Sequence, residues 1–325
     1  MKLFFQNQRT PGSIHTLAFY NLENLFDVKD DRRTLDDDFL PHAKKKWNEK
    51  KYRKKVYNLG KAIARVGFDK SRQPPAIVGL AEVENREVVN DLINSKHLAK
   101  KGFEVVHYDS PDERGIDTAL IYRREHFEVT HSVTVPLLLY NEHGVRDYTR
   151  DVLHVTGKLN GERMHVLVNH WPSRRAGVHE TNPKRIEAAQ TVREVMEAII
   201  EEEKDPGIII MGDFNDEPTS ESIKEHLLTP FLINPMERLM GTRRGSLRHR
   251  DTWNLFDQII VSHNFLKMEK GTHHFAHVNI FDKRFLAEWE GRYKGNPFRT
   301  FAGKKYLGGY SDHYPVYIQF KYTHS

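Results

Sequence analysis

Short apolar runs recur along the whole chain, and turn-forming or charged residues bound most of them. Several runs are rich in β-branched residues, which is typical of buried strands. The pattern predicts strands at residues 16–20, 76–80, 118–122, 164–168, 207–211, 258–261 and 315–320. These segments are expected to form the core of the fold.

Two further segments carry apolar residues at helical spacing. In the first, around residues 44–66, the apolar positions are Trp47, Val56, Leu59, Ile63 and Val66, with Gly67 placed to end the helix. The other face of this helix carries Lys44, Lys45, Lys50, Lys51, Lys54 and Lys55. A solvated face is a better interpretation of these lysines than a DNA-contacting one. The second helix is expected to open with Thr181 as its cap and Pro183 as its helix-starting proline.

Strand and helix signals are interleaved, and no Ser/Gly linker, low-complexity tract or internal repeat separates them. An α/β fold in one domain, covering residues 1–325 with a core at about 14–322, is the economical prediction.

Polar side chains stand where several of these apolar runs end. The strongest case is the run 207–211, which is followed by Asp213 and Asn215. Because alternate residues of an extended chain point to the same side, these two side chains are expected to face one site. The structural alternative is a strand followed by an Asx turn.

The same arrangement occurs three more times. Glu82 follows the second apolar run, Asn21 and Glu23 follow the first, and Asn169 and His170 follow the run 164–168. Each of these residues taken singly could be a cap or a turn residue. Four such endings in one chain favour a common site.

Two motifs reverse this order, since Asp257 precedes one strand and Asp312 and His313 precede another. In an antiparallel or mixed sheet, the starts of some strands lie at the same edge as the ends of others. All of these groups can therefore line one rim. Oxygen and imidazole ligands without any cysteine suit Mg²⁺ or Mn²⁺ acting on phosphate, and they disfavour a thiolate zinc site.

Composition adds a weaker indication. The net charge of +5 favours a polyanionic partner such as nucleic acid, although 50 basic against 45 acidic residues is equally consistent with ordinary solubilising charge. The first residues lack the apolar stretch of a secretory signal, and no segment is long enough to span a membrane. A monomer without membrane association is expected, with a cytoplasmic location favoured unless a leader has been removed.

Taken in order, the motifs resemble those of the endonuclease/exonuclease/phosphatase superfamily. They run from about residue 17 to 318 and read FYNLENLFD, GLAEVEN, RGIDTALIYR, VNHWPSRR, MGDFNDEP, FDQIIVS and SDHYPV. The resemblance implies a four-layer α/β sandwich, with two mostly antiparallel β-sheets packed face to face and helices outside.

The resemblance also implies roles for the residues of the rim. Glu82 would be the principal metal ligand, with Asn21 and Asp312 nearby, and Mg²⁺ would be the metal, with Mn²⁺ or Ca²⁺ as alternatives. The implied catalytic residues are His170, Asp213, Asn215, Asp257 and His313. Asp213 and Asn215 would position or activate the attacking water, the two histidines would contact the phosphate and transfer protons, and Asp257 would orient His313. Asp117 is a candidate support for His170, with strand-end capping as its alternative.

Within the superfamily, the motif VNHWPSRR resembles bacterial extracellular-type nucleases and disfavours dedicated abasic-site repair, where a tyrosine motif is expected. The candidate substrate-binding arginines are Arg114, Arg174, Arg175, Arg243 and Arg244, and Arg248 and Arg250 follow in the same loop as the last two. A solvated loop with incidental charge is the alternative for that loop.

The predicted function is metal-dependent hydrolysis of phosphodiesters, with DNA or RNA as substrate and an endonuclease favoured. One alternative is a phosphatase or phosphodiesterase acting on a small phosphorylated molecule or a phospholipid head group. Another is an inactive member that only binds nucleic acid.

Overall fold

Strands dominate the computed structural model, which describes residues 14–141, 143–175, 177–241, 243–249 and 251–324. The strands in chain order are β1 (Ile14–Leu25), β2 (Ile77–Val83), β3 (Phe103–His107), β4 (Asp117–Arg123), β5 (Phe127–Val135), β6 (Leu139–Tyr140), β7 (Arg146–Asp147), β8 (Val152–Leu159), β9 (Glu162–His170), β10 (Ile208–Asp213), β11 (Leu232–Ile233), β12 (Leu247–His249), β13 (Thr252–Asn254), β14 (Asp257–Ser262), β15 (His273–Ile280), β16 (Phe301–Ala302), β17 (Lys305–Tyr306) and β18 (Val316–Tyr322). The α-helices are α1 (Glu49–Ile63), α2 (Phe68–Ser71), α3 (Arg86–Ile93) and α4 (Val178–Glu202). Short 3-10 turns lie at Asp37–Phe39, Pro235–Leu239, His263–Leu266 and Arg284–Leu286, and Ser222–Leu227 forms a π-helical segment.

Two six-stranded sheets form the centre of the fold. Their strand orders are β15-β18-β1-β2-β4-β3 and β11-β14-β10-β9-β8-β5. Within each sheet one central pair is parallel, β1 with β2 and β9 with β10, and the other neighbouring pairs are antiparallel. The predicted α/β sandwich of two mostly antiparallel sheets is confirmed, and all seven predicted strands fall on its central strands.

Alternation along β10 shows how the layers pack. Ile209 and Met211 belong to the core between the sheets, whereas Ile208 and Ile210 belong to a second core under α4. The two sheets approach closely at Gly79 of β2, where a Cβ atom would lie 2.6 Å from the Met211 sulfur. Each fully buried aliphatic side chain of these layers contributes about 1.5–3 kcal/mol to folding.

The first predicted helix begins later than the lysine-rich pattern indicated. Helix α1 begins at Glu49, and the Asn48 side chain caps it by accepting the Lys51 N–H at 3.2 Å. The interpretation of all the lysines as a solvated face is wrong for Lys55, which is 1% exposed.

The second predicted helix starts earlier than expected. Helix α4 begins at Val178 after Gly177, so that Thr181 and Pro183 lie inside it. Arg185 stabilises this first turn, because it donates to the Val178 carbonyl at 3.1 Å and to the Thr181 hydroxyl at 2.6 Å. The prediction that Thr181 caps the helix is wrong, because the turn before it is helical and is held by Arg185 from the following turn.

No helix within the described residues is both long enough and apolar enough to cross a bilayer.

Candidate active site

Three polar side chains lie side by side at the end of the second sheet. Asp213, the last residue of β10, pairs in register with His170 on one neighbouring strand and with Asp257 on the other. Directly paired residues of adjacent strands share a face. Because Met211 lies two residues before Asp213 and faces the other sheet, the whole row faces the space between the sheets.

The first sheet supplies Asn21 and Glu82 across that space. Both strands that carry them depart from regular pairing here, between Asn21 and Leu25 in β1 and between Ala81 and Val83 in β2. Glu82 itself has a positive φ of 62°. Non-glycine residues in this region store about 1–3 kcal/mol of strain and concentrate at functional sites. The bulge turns the Glu82 carboxylate toward the second sheet.

The two sheets meet through these side chains. Asn21 Nδ2 lies 3.0 Å from Asp213 Oδ2 and 3.3 Å from Glu82 Oε1. His170 Nε2 lies 3.9 Å from each of the same two carboxylate oxygens. Four candidate residues from separate strands therefore surround one small volume.

His313 and Asp257 form a hydrogen-bonded pair beside this cluster. His313 Nδ1 lies 2.7 Å from Asp257 Oδ2, and its Nε2 lies 3.9 Å from Asp213 Oδ2. Burial opposes protonation of His313, but the negative charges of Asp257, Asp213 and Asp312 outweigh it and hold its pKa well above the usual value. His313 is therefore an oriented imidazolium whose free nitrogen points at the carboxylate cluster.

Burial shifts the pKa values of Asp213 and His170 in opposite directions. Burial and the charge of Asp257 raise the pKa of Asp213 to about 6, against the opposing effect of His313. Burial, followed by the positive charges of Arg150, Arg114 and His313, lowers the pKa of His170 well below its usual value. The site thus combines a neutral imidazole, a charged imidazolium and a carboxylate that titrates near neutral pH.

Asp312 belongs to a charged network that the sequence did not reveal. Its Oδ2 accepts a hydrogen bond from Arg299 Nη2 at 2.8 Å, and Arg299 Nε lies 3.3 Å from Glu23 Oε1. The ammonium of the buried Lys55 lies 3.6 Å from Glu23 Oε2 and donates to the Glu23 carbonyl at 2.9 Å. Asp312 therefore keeps one carboxylate oxygen free of Arg299, and that oxygen lies 4.0 Å from His313 Nε2.

A second overlooked residue, Arg150, holds the end of β9. This fully buried guanidinium donates to the His170 carbonyl at 3.2 Å and the Trp171 carbonyl at 2.7 Å, and Asp112 balances its charge at 3.0 Å. Arg150 fixes the backbone from which His170 projects. No sequence motif indicates this role of Arg150, because its partners are distant in sequence.

Asn215 does not continue the alternation expected from Asp213. Strand β10 ends at Asp213, and Asn215 has a positive φ of 50°. Its side-chain amide donates to the Trp171 carbonyl at 2.9 Å, and its backbone N–H donates to Asp213 Oδ1 at 3.0 Å. The turn orients Asp213 through the backbone, which is the Asx-type geometry that stood as the alternative.

The candidate arginines divide into anchored and exposed groups. Arg174 donates to the Asn215 carbonyl at 2.7 Å and pairs with Asp216. Arg244 forms two bonds to Asp282, at 2.6 and 3.0 Å.

The remaining candidates have fewer contacts. Arg114 Nε lies 3.8 Å from Asp112 Oδ1, with a third of its side chain exposed. Arg175 and Arg243 are exposed. Arg248 donates to Asn296 Oδ1 at 3.0 Å, and Arg250 lies outside the described residues.

Asp117 has partners other than His170. Its Oδ2 lies 3.0 Å from His107 Nε2, and its Oδ1 accepts the Ser110 N–H at 2.8 Å. The Nδ1 atom of His170 is buried without a hydrogen-bond partner in the part of the chain that the structure describes. The suggested support of His170 by Asp117 is therefore wrong, and Asp117 serves as a local cap.

The comparison with protein families decides the classification of this fold and site. The model of the Endonuclease/Exonuclease/phosphatase family matches residues 16–322, which is nearly the whole chain. This chain belongs to that family. Its members are hydrolases that act on phosphoester bonds and depend on divalent metals. A comparison with curated protein sequences gave no significant match.

Solved structures of other family members share the fold at low identity. TDP2 from D. rerio, in complex with a single-strand DNA product, is 14% identical with a TM-score of 0.58, and the alignment covers 95% of this chain and 99% of that one. The human Nocturnin catalytic domain with a bound sulfate anion is 15% identical with a TM-score of 0.55, over 96% of both chains. A mannosyl-6-phosphatase of Bacteroides thetaiotaomicron is 18% identical with a TM-score of 0.57, over 95% of this chain and all of that one.

The residues present fit the divalent metal on which the family depends. Glu82 and Asp213 converge from opposite sheets, and within the described residues neither carboxylate forms an ion pair with a lysine or arginine. The Glu82 carboxylate is thus available to a bound cation, whereas Asp213 also faces the His313 imidazole at 3.9 Å. Carboxylate oxygens are the ligands that Mg²⁺ prefers. Asp213, Asp257 and His313 also lie close enough together to hold an ion.

Proposed function

We propose that this family member is a metal-dependent phosphodiester hydrolase that cleaves nucleic acid, DNA in the first place. The observation that supports it most directly is the His313–Asp257 pair, whose free imidazole nitrogen faces the Glu82 and Asp213 carboxylates. A charged donor beside these two carboxylates suits a phosphate group and its attacking water.

Glu82 would hold the metal, with one oxygen of Asp312 nearby. Glu82 Oε2 already accepts the Asn24 N–H at 2.8 Å, which fixes the carboxylate and leaves Oε1 facing the cluster. Asn21 would lie beside the metal, since its Nδ2 faces the Glu82 and Asp213 carboxylates while its Oδ1 accepts the Glu23 N–H at 3.0 Å. When bound, Mg²⁺ or Mn²⁺ would polarise a phosphoryl oxygen and stabilise the charge of the leaving oxygen.

Proton transfer would fall to the other side chains. Asp213, whose pKa of about 6 leaves it ionised at neutral pH, would accept the proton of the attacking water. His313 would donate hydrogen bonds to a phosphate oxygen, because the charge of Asp257 keeps it protonated. His170, held neutral by burial and by Arg150, would orient the phosphate without adding charge. No covalent enzyme intermediate is required.

Nucleic acid is favoured over a small phosphoester by the surroundings of the site. Exposed Arg243, Arg284 and Lys294 line a groove that adjoins His313 through its neighbour Tyr314. Such an arrangement suits the repeated phosphates of a polynucleotide. The likeness to TDP2, whose structure contains a single-strand DNA product, is consistent with this choice.

A substrate panel tests the proposal. Linear DNA, circular DNA, RNA, mannose 6-phosphate and inositol phosphates would each be incubated with Mg²⁺, Mn²⁺ or Ca²⁺. We expect hydrolysis of nucleic acid that requires Mg²⁺ or Mn²⁺. Turnover of a sugar or inositol phosphate with intact nucleic acid would instead favour a small-molecule phosphatase, and binding of DNA without any cleavage would favour an inactive member.

A further inference from the structure

A groove opens beside the candidate site. Its volume of about 610 Å³ lies within the range of about 300–1,000 Å³ that is usual for ligand pockets. Two of its lining residues join it to the site: Tyr314 follows His313 in the chain, and Gly245 precedes Ser246, whose hydroxyl accepts the Asp257 N–H at 3.2 Å. The groove therefore borders chain segments that adjoin His313 and Asp257.

The outer wall of the groove is a hydrogen-bonded loop formed by residues 284–298. The Glu288 N–H donates to the Asn296 carbonyl at 2.8 Å, and the Gly295 N–H donates back to the Glu288 carbonyl at 3.0 Å. The Tyr314 hydroxyl fastens this loop to the floor by donating to the Gly295 carbonyl at 2.9 Å. The wall is thus a defined structural element attached to the site.

This wall presents a tryptophan to solvent. Trp289 is 63% exposed, and the Arg284 guanidinium lies 5.6 Å from its ring centroid. On the inner side of the groove, Trp253 stacks on Tyr314 with centroids 6.2 Å apart and planes 20° from parallel. Indole rings at a groove mouth are the usual platform for unstacked bases.

The charge of the groove is predominantly positive. Its exposed basic side chains are Arg243, Arg284 and Lys294. Two acidic residues, Asp282 and Glu288, also line the groove. The charge of Asp282 is balanced by Arg244, which lies 2.6 Å away. A ligand with an aromatic ring and flanking negative charges matches this combination.

We propose that the groove binds one nucleotide of a single-stranded substrate next to the scissile phosphate. Trp289 stacks on its base, while Arg284 and Lys294 contact the flanking phosphates. A base within a duplex is covered by its neighbours and cannot offer its face to an indole ring, so the groove selects single strands or frayed ends. This inference rests on the nucleic-acid hydrolysis proposed above.

The test compares three variants on three substrates. Trp289→Ala removes the ring, Trp289→Phe keeps an aromatic face, and Tyr140→Ala is the matched control, since Tyr140 is 56% exposed and lies outside the groove lining. The substrates are a single-stranded oligonucleotide, a blunt duplex of the same sequence, and bis(p-nitrophenyl) phosphate, which reports the hydrolytic chemistry without a base.

For the single strand, Trp289→Ala should raise KM about tenfold, the scale of losing one base–aromatic stack, with kcat unchanged. Trp289→Phe and Tyr140→Ala should keep a KM near the wild-type value. Wild type and all three variants should hydrolyse bis(p-nitrophenyl) phosphate at equal rates. An unchanged KM for Trp289→Ala would overturn the stacking site while nucleic-acid hydrolysis stands. An equal rise of KM for the duplex in Trp289→Ala would overturn the preference for single strands. Wild-type hydrolysis of bis(p-nitrophenyl) phosphate with no cleavage of either oligonucleotide would remove the proposed function, and the groove proposal with it.

Discussion

At the residue scale, neighbouring groups set the ionisation of each titratable side chain in the site. The neighbouring carboxylates, Asp257 first, raise the pKa of His313 against the effect of burial, whereas burial, followed by the positive charge of Arg150, lowers the pKa of His170. The pKa values of the two imidazoles are thus shifted in opposite directions, which favours a neutral His170 and a positively charged His313. Asp213, between them, titrates near pH 6 because it is buried beside Asp257. This division matches what hydrolysis of a phosphodiester requires, a base for water and a charged donor for the phosphate.

Replacing either central group should abolish most activity without unfolding the protein. Asp213→Ala or His313→Ala should lower kcat by about a hundredfold or more, the usual scale for losing an acid or base partner. His277→Ala is the control, because His277 lies on β15, away from the rim. Near-normal kcat in either variant, with thermal unfolding like that of wild type, would remove that residue from the mechanism.

The charge of Asp257 should be visible in the titration of His313. In the metal-free protein, the imidazole resonances of His313 should report a pKa above 6.5, because the folded environment favours the imidazolium. Asp257→Asn keeps the shape of the partner but removes its charge, so the imidazolium loses stabilisation and the pKa should fall. Nuclear magnetic resonance across pH 5 to 9 measures both values; equal pKa values in the two proteins would contradict the assigned role of Asp257.

At the element scale, two bulges bring the first sheet to the site. The regular pairing is interrupted after Asn21 in β1 and at Glu82 in β2, and Glu23, Asn24 and Glu82 all have positive φ. Apolar runs that end in polar residues sufficed to predict which strands bring these polar side chains together. The bulges could not be predicted, because left-handed geometry at Glu82 depends on the packing of two sheets and not on its local sequence.

The network around Lys55 shows a second limit of sequence reasoning. Lys55 occupies a lysine-rich helix and reads as solvated, yet its partner Glu23 lies 32 residues earlier, and Arg299 follows Glu23 by 276 residues. Arg150 likewise depends on Asp112, 38 residues away. Contacts of this range arise only from the tertiary fold. The sequence therefore contains no indication that Arg150 and Arg299 contact residues of the candidate site.

Removing the Lys55 charge should destabilise the protein. Lys55→Met leaves Glu23 buried without its closest buried cation, which should cost about 3–5 kcal/mol in the free energy of unfolding. The double variant Lys55→Met/Glu23→Gln should lose less than the sum of the two single changes. Lys50→Met, an exposed lysine on the same helix, should change stability by less than about 0.5 kcal/mol. Urea unfolding gives all four values, and additive losses would show that Lys55 and Glu23 do not interact.

At the scale of the whole molecule, the topology explains why residues spread over nearly the whole chain meet at one rim. In each sheet a parallel central pair ends at that rim, and an antiparallel neighbour, β14 or β18, begins there. The ends of β1, β2, β9 and β10 therefore face the starts of β14 and β18. The family resemblance implied this sandwich, and the structure confirms it. Substrate choice within a shared fold is generally set by surface loops, and the shape of such loops is not encoded in the core pattern.

We propose that Glu82, with Asn21 and Asp312 nearby, holds one divalent metal at the rim where the two sheets meet. Electron paramagnetic resonance of Mn²⁺ added to metal-free protein tests it most directly, with Glu82→Gln as the matched variant that keeps shape and removes charge. We expect one Mn²⁺ bound per chain in wild type and strongly weakened binding in Glu82→Gln, together with loss of oligonucleotide cleavage. Equal Mn²⁺ binding by the two proteins, or wild-type cleavage that persists in EDTA, would contradict it.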